Sequence, residues 1–225
     1  MKGRGRPRPR HRSRKHGQSI GDEAVPAPKH RLHELALKRR KPASGCSARN
    51  STPATLDAAL KRIRLFLCDV DGVLTDGSVF IGGKEEIKQF HVRDGLGLVK
   101  LRREGIKVGW VSGRPSAATT QRARELKIDF LSQEKGSKVS VVERLLAQTG
   151  FRWEQVCYMG DDIVDLGVLN RAGVAVAVAN GVAEARAAAH YITRAGGGHG
   201  AVREVVELIL KAQNKWRRIV TECTV

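Results

Sequence analysis

The 225-residue sequence contains few cysteines and no long apolar run. Its four cysteines are widely spaced, and their spacing matches neither a zinc-binding pattern nor a disulfide framework. Such cysteine usage is typical of a reducing compartment. No apolar stretch approaches the ~20 residues of a membrane span, and the first 20 residues lack the apolar core of a signal peptide. We therefore expect a cytoplasmic protein with no membrane partner.

Positive charge is concentrated at the amino-terminal end of the chain. Residues 1–60 hold 15 lysines and arginines against 4 acidic residues, whereas residues 61–225 hold 26 against 19. The amino-terminal part also contains a low-complexity basic stretch, MKGRGRPRPRHRSRKHG, that could not form a core. We predict a basic disordered tail and linker over residues 1–60 and a single domain over residues 61–225.

Two interpretations of this tail are open. A basic arm can bind nucleic acid or another polyanion. Alternatively, the tail is an extension with no specific partner, or lies upstream of the true start codon, and we favour this second interpretation. The domain itself is only moderately basic, which suits an anionic small molecule as well as nucleic acid.

From Leu65 onwards the sequence alternates between predicted strands and predicted helices. The strands are expected at Leu65–Cys68, Lys107–Ser112, Ile128–Leu131, Gln155–Met159, Gly173–Val178 and Tyr191–Thr193. The helices are expected at residues 92–104, 115–126, 138–148, 165–172, 182–189 and 200–215. This alternation predicts an α/β fold, a Rossmann-like parallel sheet flanked by helices.

One further pair of extended runs interrupts this pattern. Ser78–Ile81 and Glu86–His91 flank a turn-forming Gly82–Gly83 pair, which predicts a small β-hairpin. Only a short stretch separates the first strand from the first helix of the domain, which leaves no room there for a large inserted domain.

The first strand ends in an acidic motif, LFLCDVDGVLTDG. Asp69 and Asp71 follow the apolar run Leu65–Cys68, so both carboxylates can converge at the carboxyl tip of the strand. Two unpaired carboxylates at that distance would repel each other, and a divalent cation such as Mg²⁺ would relieve the repulsion. The alternative is an ordinary acidic turn after a strand.

Two other predicted strands end in polar groups of the same kind. Ser112 follows one of them, and Asp161 and Asp162 follow another. Ligands of parallel α/β sheets bind beyond the carboxyl ends of the strands. The convergence of these groups therefore indicates one site at that edge of the sheet.

Four motifs in this order resemble the haloacid dehalogenase superfamily of phosphotransferases. They are DxDGxxT, Ser112-Gly113-Arg114, Lys138 at the start of a helix, and GDDxxD, and the resemblance covers Leu65 to about Lys215. It implies that Asp69 is the nucleophile, Asp71 the general acid and base, and Ser112 and Lys138 the phosphate-binding groups. It further implies Mg²⁺ held by Asp69, the Asp71 carbonyl and Asp161, with Asp162 and Asp165 orienting Lys138 or metal-bound water. The alternatives are a surface position for Lys138 and helix-capping roles for Ser112 and Asp165.

Within that superfamily, FHVRDGLG and AGGGHGAVREV resemble the 3-deoxy-D-manno-octulosonate 8-phosphate phosphatase family and the related domain of some acylneuraminate cytidylyltransferases. The resemblance implies that the small β-hairpin stands in place of a large cap domain and builds a homotetramer in which each hairpin helps to cover a neighbour's site. It also implies a glycine-rich segment that closes over the substrate. It further implies substrate contacts at Asp71, His91, Val92, Arg93, Asp94, Gly95, Arg114, Arg122 and Lys138. Arg203, which follows the run Gly196-Gly197-Gly198, is a candidate for a further anchor. The alternatives are a solvated helix face for Arg122 and an ordinary charged position on the last helix for Arg203. His91 and Val99 depart from the asparagine and arginine common at those positions.

The resemblance implies a Mg²⁺-dependent phosphatase that acts on a small phosphorylated sugar acid, 3-deoxy-D-manno-octulosonate 8-phosphate, for lipopolysaccharide synthesis. One alternative keeps the chemistry and changes the substrate to acylneuraminate 9-phosphate or another phosphorylated metabolite. A second alternative is a non-catalytic binding module with a polyanion-binding tail.

Overall fold

A computed structural model describes residues 53–80 and 86–224 of the chain. Its centre is a sheet of six parallel strands in the order β3-β2-β1-β4-β5-β6. The strands are β1 (Leu65–Cys68), β2 (Lys107–Val111), β3 (Phe130–Ser132), β4 (Val156–Gly160), β5 (Val174–Ala177) and β6 (Tyr191–Ile192). The predicted parallel α/β sheet is thus confirmed, and the apolar run at Leu65 is its central strand β1.

Helices cover both faces of the sheet. They are α1 (Pro53–Arg62), α2 (Val92–Arg103), α3 (Ala117–Glu125), α4 (Lys138–Thr149), α5 (Leu166–Leu169), α6 (Ala183–Ala188), α7 (Ala201–Ala212) and α8 (Trp216–Thr221). One buried apolar cluster includes residues of α1, α2, α7 and α8, and a second includes residues of α4, α5 and α6. The strands of a fully parallel sheet are buried on both faces, which is why they read as continuous apolar runs.

The carboxyl end of the chain differs from the sequence prediction. The last predicted helix ends at Ala212, and a further short helix, α8, follows it. Asn214 lies between them with a φ of 58°, in the left-handed region that asparagine tolerates better than most residues. Six residues are too few to show a clear helical repeat of apolar residues, so the sequence pattern did not predict α8 as a separate helix.

The predicted hairpin is not paired within the described residues. Residues 78–80 and 86–90 contain no strand, and the turn at residues 81–85 lies outside the described part of the chain. Side-chain exposure nevertheless alternates from residue 86 to residue 90 as it does in a strand. An isolated two-stranded hairpin is marginally stable. In this chain, residues 86–90 contact the domain instead.

Helix α1 crosses the boundary that the sequence predicts between tail and domain. Leu60 and Ala59 on α1 are buried in the apolar cluster, and Leu56 packs against it. The Gln213 side chain also donates hydrogen bonds to the carbonyls of Leu60 and Ile63, at 3.2 and 3.0 Å. The domain therefore includes at least Pro53–Leu60, while residues 1–52 lie outside the described residues. Among the described helices, none is both long and apolar enough to cross a bilayer.

Two truncations test where the domain begins. Removal of residues 1–52 is expected to leave the melting temperature unchanged, because it spares α1. Removal of residues 1–60 is expected to cost about 2–5 kcal/mol of unfolding free energy, because it strips Leu60 and its neighbours from the core. Chemical denaturation of both proteins measures the difference. Equal stability of the two would show that α1 does not belong to the domain core.

Candidate active site

Asp69 follows β1 directly and lies at the centre of the polar cluster. Its carboxyl is buried, with the Val70 amide donating to Oδ1 at 2.7 Å and the Lys138 ammonium 2.9 Å from Oδ2. Burial raises the pKa of Asp69 to about 6, against the lowering effect of Lys138. Asp69 thus presents a carboxylate that is desolvated and fixed in orientation.

Lys138 begins α4, where Ser137 caps the helix by accepting a hydrogen bond from the Ser140 amide. Its side chain is only 6% exposed, and its ammonium lies 2.7 Å from Asp165 Oδ1 as well as 2.9 Å from Asp69. Burial lowers the pKa of Lys138, but these two carboxylates outweigh burial and raise it above its usual value. The alternative of a surface lysine is therefore wrong.

Asp165 fixes both Lys138 and the loop that follows β4. Its Oδ1 accepts from the Tyr158 hydroxyl at 2.6 Å, and its Oδ2 accepts from the amides of Asp161 and Asp162 at 3.0 and 3.3 Å. Asp165 therefore orients Lys138 and the amides of this turn. It precedes α5, but its side chain makes no capping hydrogen bond to that helix, so the helix-capping alternative for Asp165 is wrong. Asp162 is exposed, and its carboxylate accepts from the neighbouring Ile163 amide, a local cap that does not reach Lys138.

Three carboxyls could share a metal ion. Asp69, Asp161 and Asp165 each offer an oxygen atom, and these atoms lie within 4.8 Å of one another. Asp165 already binds Lys138, Tyr158 and two amides, whereas Asp161 Oδ1 is buried without a hydrogen-bond partner. Burial, then Asp165 and Asp69, raise the pKa of Asp161 to about 7. Hard oxygen ligands with unbalanced negative charge fit Mg²⁺, and Asp69 and Asp161 fit as its ligands.

Gly72 lets the acidic loop after β1 approach Asp161. Its φ of +89° is in the left-handed region, and a Cβ added there would overlap the Asp161 carboxylate. On the other side of this loop, a Cβ on Gly197 would overlap the Gly72 carbonyl, and the Gly198 amide donates to the Val73 carbonyl at 3.0 Å. The glycine-rich segment is thus packed against the acidic loop.

Asp71 is held by two cations. Lys88 lies 2.7 Å from Asp71 Oδ1, and the Arg114 guanidinium lies 3.4 Å from the same oxygen. Burial raises the pKa of Asp71, but hydrogen bonds from Lys88 and Arg114 outweigh burial and hold the pKa below its usual value. Arg114 also pairs with Glu86 at 2.6 Å. Sequence reasoning missed Lys88 and Glu86, because two charged residues in a predicted hairpin carry no signal of their partners.

Ser112 shapes the turn after β2. Its hydroxyl accepts from the Arg114 amide at 3.1 Å and donates to the Arg114 carbonyl at 3.2 Å. The capping residue of α3 is Ser116, whose hydroxyl accepts from the Thr119 amide. The capping alternative for Ser112 is therefore wrong, and Ser112 instead fixes the turn that brings Arg114 to Asp71.

Residues 91–95, at the start of α2, divide between surface and core. Val92 and Arg93 are exposed, and His91 precedes the helix as its capping residue. Asp94 is buried, and its carboxylate accepts from the amides of Gly200 and Arg203 at 3.3 and 2.7 Å. The Asp94 carboxylate thus joins α2 to the start of α7, and these hydrogen bonds occupy both of its oxygens.

The two remaining arginines of the prediction have partners outside the carboxylate cluster. Arg122 pairs with Glu125 at 2.9 Å and lies against Gly95, and its buried Nε has no hydrogen-bond partner. Arg203 pairs with Glu207 at 2.9 Å, and its guanidinium stacks over the Trp216 ring at 4.9 Å. Of the arginines predicted to bind substrate, Arg114 is therefore the one that contacts Asp71 among the described residues.

The parallel sheet, with its carboxylates and lysine at the carboxyl edge, is that of a haloacid dehalogenase-like hydrolase, and the family model of that description matches residues 130–204. The chain is 45% identical to the 3-deoxy-D-manno-octulosonate 8-phosphate phosphatase of Yersinia pestis over 154 residues, which cover 68% of this chain and 82% of that protein. The chain belongs to the 3-deoxy-D-manno-octulosonate 8-phosphate phosphatase family, and it is therefore a phosphoric monoester hydrolase.

Solved structures agree with this assignment. The Moraxella catarrhalis phosphatase of the same name, solved with a magnesium ion, a phosphate ion and a KDO molecule, matches with a TM-score of 0.74 and 40% identity over 76% of this chain and 99% of that one. The cobalt-bound phosphatase of Haemophilus influenzae matches with a TM-score of 0.68 and 39% identity over 70% of this chain and 92% of that one. The predicted family and fold are confirmed.

The raised pKa of Asp161 predicts that cation binding depends on pH. Below its pKa of about 7 the carboxyl is mainly protonated and must lose its proton to bind a cation. Mg²⁺ is therefore expected to bind at least about tenfold more weakly at about pH 5.5 than at about pH 7.5, with proton release on binding. Isothermal titration calorimetry in two buffers measures both effects. Asp57→Asn, a surface change, is the control, and equal affinities at the two pH values would contradict the prediction.

Proposed function

We propose that this chain hydrolyses 3-deoxy-D-manno-octulosonate 8-phosphate to the free sugar acid and phosphate, with Mg²⁺ as cofactor, and supplies lipopolysaccharide synthesis in the cytoplasm. The observation that carries the proposal is Lys138, buried between Asp69 and Asp165 beside the metal-binding carboxyl of Asp161. The structure of the Moraxella catarrhalis phosphatase, which is 40% identical to this chain, contains a magnesium ion, a phosphate ion and the sugar acid 3-deoxy-D-manno-octulosonate (KDO).

Asp69 is the proposed nucleophile. One of its carboxylate oxygens attacks phosphorus, the bond from phosphorus to the sugar oxygen breaks, and an aspartyl-phosphate forms. The Val70 amide on Oδ1 and Lys138 on Oδ2 fix the direction of the carboxylate. Bound Mg²⁺, held by Asp69, Asp161 and the Asp71 carbonyl, would offset the negative charge that otherwise repels the phosphate.

Asp71 is the proposed proton donor and acceptor. In the first step its carboxyl gives a proton to the departing sugar oxygen, which leaves as an alcohol. Lys88 and Arg114 favour the ionised form of Asp71 in the free protein, so this step requires Asp71 to take up a proton in the substrate complex. In the second step the Asp71 carboxylate takes a proton from water as the water oxygen attacks phosphorus. The aspartyl-phosphate bond then breaks, which regenerates the Asp69 carboxylate and releases phosphate. The two steps need opposite proton transfers, so one residue serves both.

Ser112 and Lys138 are the proposed phosphate ligands. Lys138 brings a fixed positive charge next to the nucleophile, where the transition state is most anionic. Ser112 is buried at the end of β2, and its hydroxyl can turn from the Arg114 backbone towards a phosphoryl oxygen. Asp165 keeps the Lys138 ammonium in place throughout. Asp162 is proposed to orient metal-bound water.

Arg114 is the proposed ligand of the substrate's anionic groups, since a guanidinium binds a carboxylate or phosphate through two parallel hydrogen bonds. Its side chain is 43% exposed and contacts Asp71. Further contacts are proposed from Arg122, which has an unpartnered Nε, and from the start of α2. That segment comprises His91, Val92, Arg93, Asp94 and Gly95.

A homotetramer is part of the proposal. Val79, Phe80 and Ile87 flank residues 81–85 and are 58%, 59% and 69% exposed. Contiguous exposed apolar side chains, such as those of the neighbours Val79 and Phe80, are typical of a surface that another protein covers. Association of four chains through residues 78–80 and 86–91 would bury these side chains. Light scattering tests this, and the mass of a single chain in dilute solution would contradict it.

The substrate proposal is tested by phosphate release with Mg²⁺ from a panel of phosphate esters. The panel holds 3-deoxy-D-manno-octulosonate 8-phosphate, acylneuraminate 9-phosphate, hexose phosphates and a nucleoside monophosphate, with EDTA-treated protein as the blank. The first compound is expected to give the highest kcat/KM. Preference for another member would keep the chemistry and overturn the substrate. Turnover of none would favour the non-catalytic binding module.

Asp69→Asn is expected to lower kcat by at least about a thousandfold, because a neutral amide cannot form the aspartyl-phosphate. The fold should survive, since the change keeps the size of the side chain. Phosphate release and thermal unfolding measure the two properties, with Asp57→Asn on the surface of α1 as the matched control. Turnover by Asp69→Asn at the parent rate would show that another group is the nucleophile.

A further inference from the structure

Lys88 is a buried cation that none of the proposed roles uses. Its side chain is 2% exposed, and its ammonium lies 2.7 Å from Asp71 Oδ1. An ammonium this deeply buried needs a compensating partner, and Asp71 is the carboxylate that supplies it. Lys88 is separated from Asp71 by 17 residues in the chain, so this contact is a product of the tertiary structure.

The segment around Lys88 is fastened to the domain at two other points. Exposure alternates along it, with Glu86, Lys88 and Phe90 turned towards the domain and Ile87 and Gln89 towards solvent. The Phe90 ring stacks on Trp110 of β2, with centroids 6.1 Å apart and planes inclined by 13°. Glu86 pairs with Arg114 at 2.6 Å. These two contacts on either side of Lys88 hold its ammonium against Asp71.

The contacts made by the two oxygens of Asp71 are unequal. Oδ1 accepts from Lys88 at 2.7 Å and from Arg114 at 3.4 Å. Oδ2 has only the longer contact to Arg114 Nε, at 3.5 Å. A carboxyl that passes a proton needs one oxygen free to carry it and a second contact that stops the group from rotating. The arrangement around Asp71 meets both needs.

We propose that Lys88 is a positioning residue that anchors Oδ1 of Asp71, so that Oδ2 is the oxygen that gives a proton to the departing alcohol and takes one from water. This inference rests on the proposed function of Asp71. Lys88 touches neither the reacting phosphorus nor the nucleophile in this scheme, and it acts through the orientation of Asp71 alone.

A substrate whose leaving group needs no proton separates this role from a merely structural one. Nitrophenolate leaves as a stable anion, so formation of the aspartyl-phosphate from p-nitrophenyl phosphate does not require an acid, whereas an alkyl phosphate does. Hydrolysis of the aspartyl-phosphate requires Asp71 as base with either substrate. Loss of Lys88 should therefore slow both steps for an alkyl phosphate and only the second step for p-nitrophenyl phosphate.

The experiment compares the full chain with Lys88→Met in rapid-mixing kinetics. For the alkyl phosphate that the parent hydrolyses best, the variant's kcat is expected to fall about a hundredfold, with KM changed by less than about threefold. With p-nitrophenyl phosphate the variant should release a burst of nitrophenolate stoichiometric with enzyme, followed by slow turnover. Lys107→Met, which removes an exposed lysine paired with Asp129, is the matched control and should behave as the parent does.

Three results would overturn the inference. The first is an equal fall in kcat on both substrates without a nitrophenolate burst. The second is a rise in KM with kcat unchanged, and the third is a variant whose rates equal those of the parent on both substrates. Thermal unfolding and Mg²⁺ titration show whether the variant folds, and Lys88→Gln replaces it if Lys88→Met does not. If the parent hydrolyses a chiral phosphate ester with inversion at phosphorus, water attacks directly without a phosphoenzyme, and the proposed mechanism itself has failed. Failure of the Lys88 inference alone would leave the parent's phosphoenzyme intact.

Discussion

Lys138 lies between Asp69 and Asp165, and the geometry of the polar site depends on this buried bridge. The ammonium is 2.9 Å from one carboxylate and 2.7 Å from the other, and all three side chains are buried. Buried charges are costly unless they are paired and hydrogen-bonded. Asp165 meets that condition because it accepts hydrogen bonds from Tyr158 and two backbone amides. These bonds fix the Asp165 carboxylate, which in turn fixes the position of the Lys138 ammonium. The bridge thus joins the ends of β1 and β4 to the start of α4.

One lysine does not neutralise three carboxyls, and this imbalance distinguishes the site from a structural ion-pair network. Asp161 retains a buried oxygen without a partner, and its pKa is raised to about 7. The structure keeps this oxygen in place by packing Gly72 directly on the carboxylate. Such an unbalanced group persists where function maintains it. A divalent cation is the simplest group that would complete the charge balance.

Two segments outside the sheet, the glycine-rich segment and residues 86–90, contact the acidic loop after β1. Gly197 and Gly198 lie against the acidic loop so closely that side chains would overlap its backbone. The segment 86–90 brings Lys88 to Asp71 and fixes itself to β2 through Phe90. Asp71, the proposed general acid and base, is therefore contacted by a part of the chain that contributes nothing to the sheet.

Much of the chemistry could be predicted from sequence, because motifs at the ends of parallel strands must meet at one edge of the sheet. That reasoning placed Asp69, Asp71, Ser112 and Asp161 at one edge, whereas Lys138 was predicted from the family resemblance. The apolar pattern predicted all six strands to within two residues. It could not predict contacts that depend on partners far apart in the chain. Asp94 carries the same carboxyl as Asp161 but binds the amides that begin α7, and Arg203 stacks on Trp216 of a helix that the pattern did not reveal.

The sequence by itself determined the alternation of strands and helices and the order of the reactive groups, since both follow from local apolar periodicity and motif spacing. Only the tertiary structure decided which oxygen of each carboxylate is free, which arginine reaches Asp71, and that Lys88 is buried against it. Those outcomes depend on contacts between residues far apart in the chain. The energy of such a contact is fixed by distance and burial, and neither is encoded in local pattern.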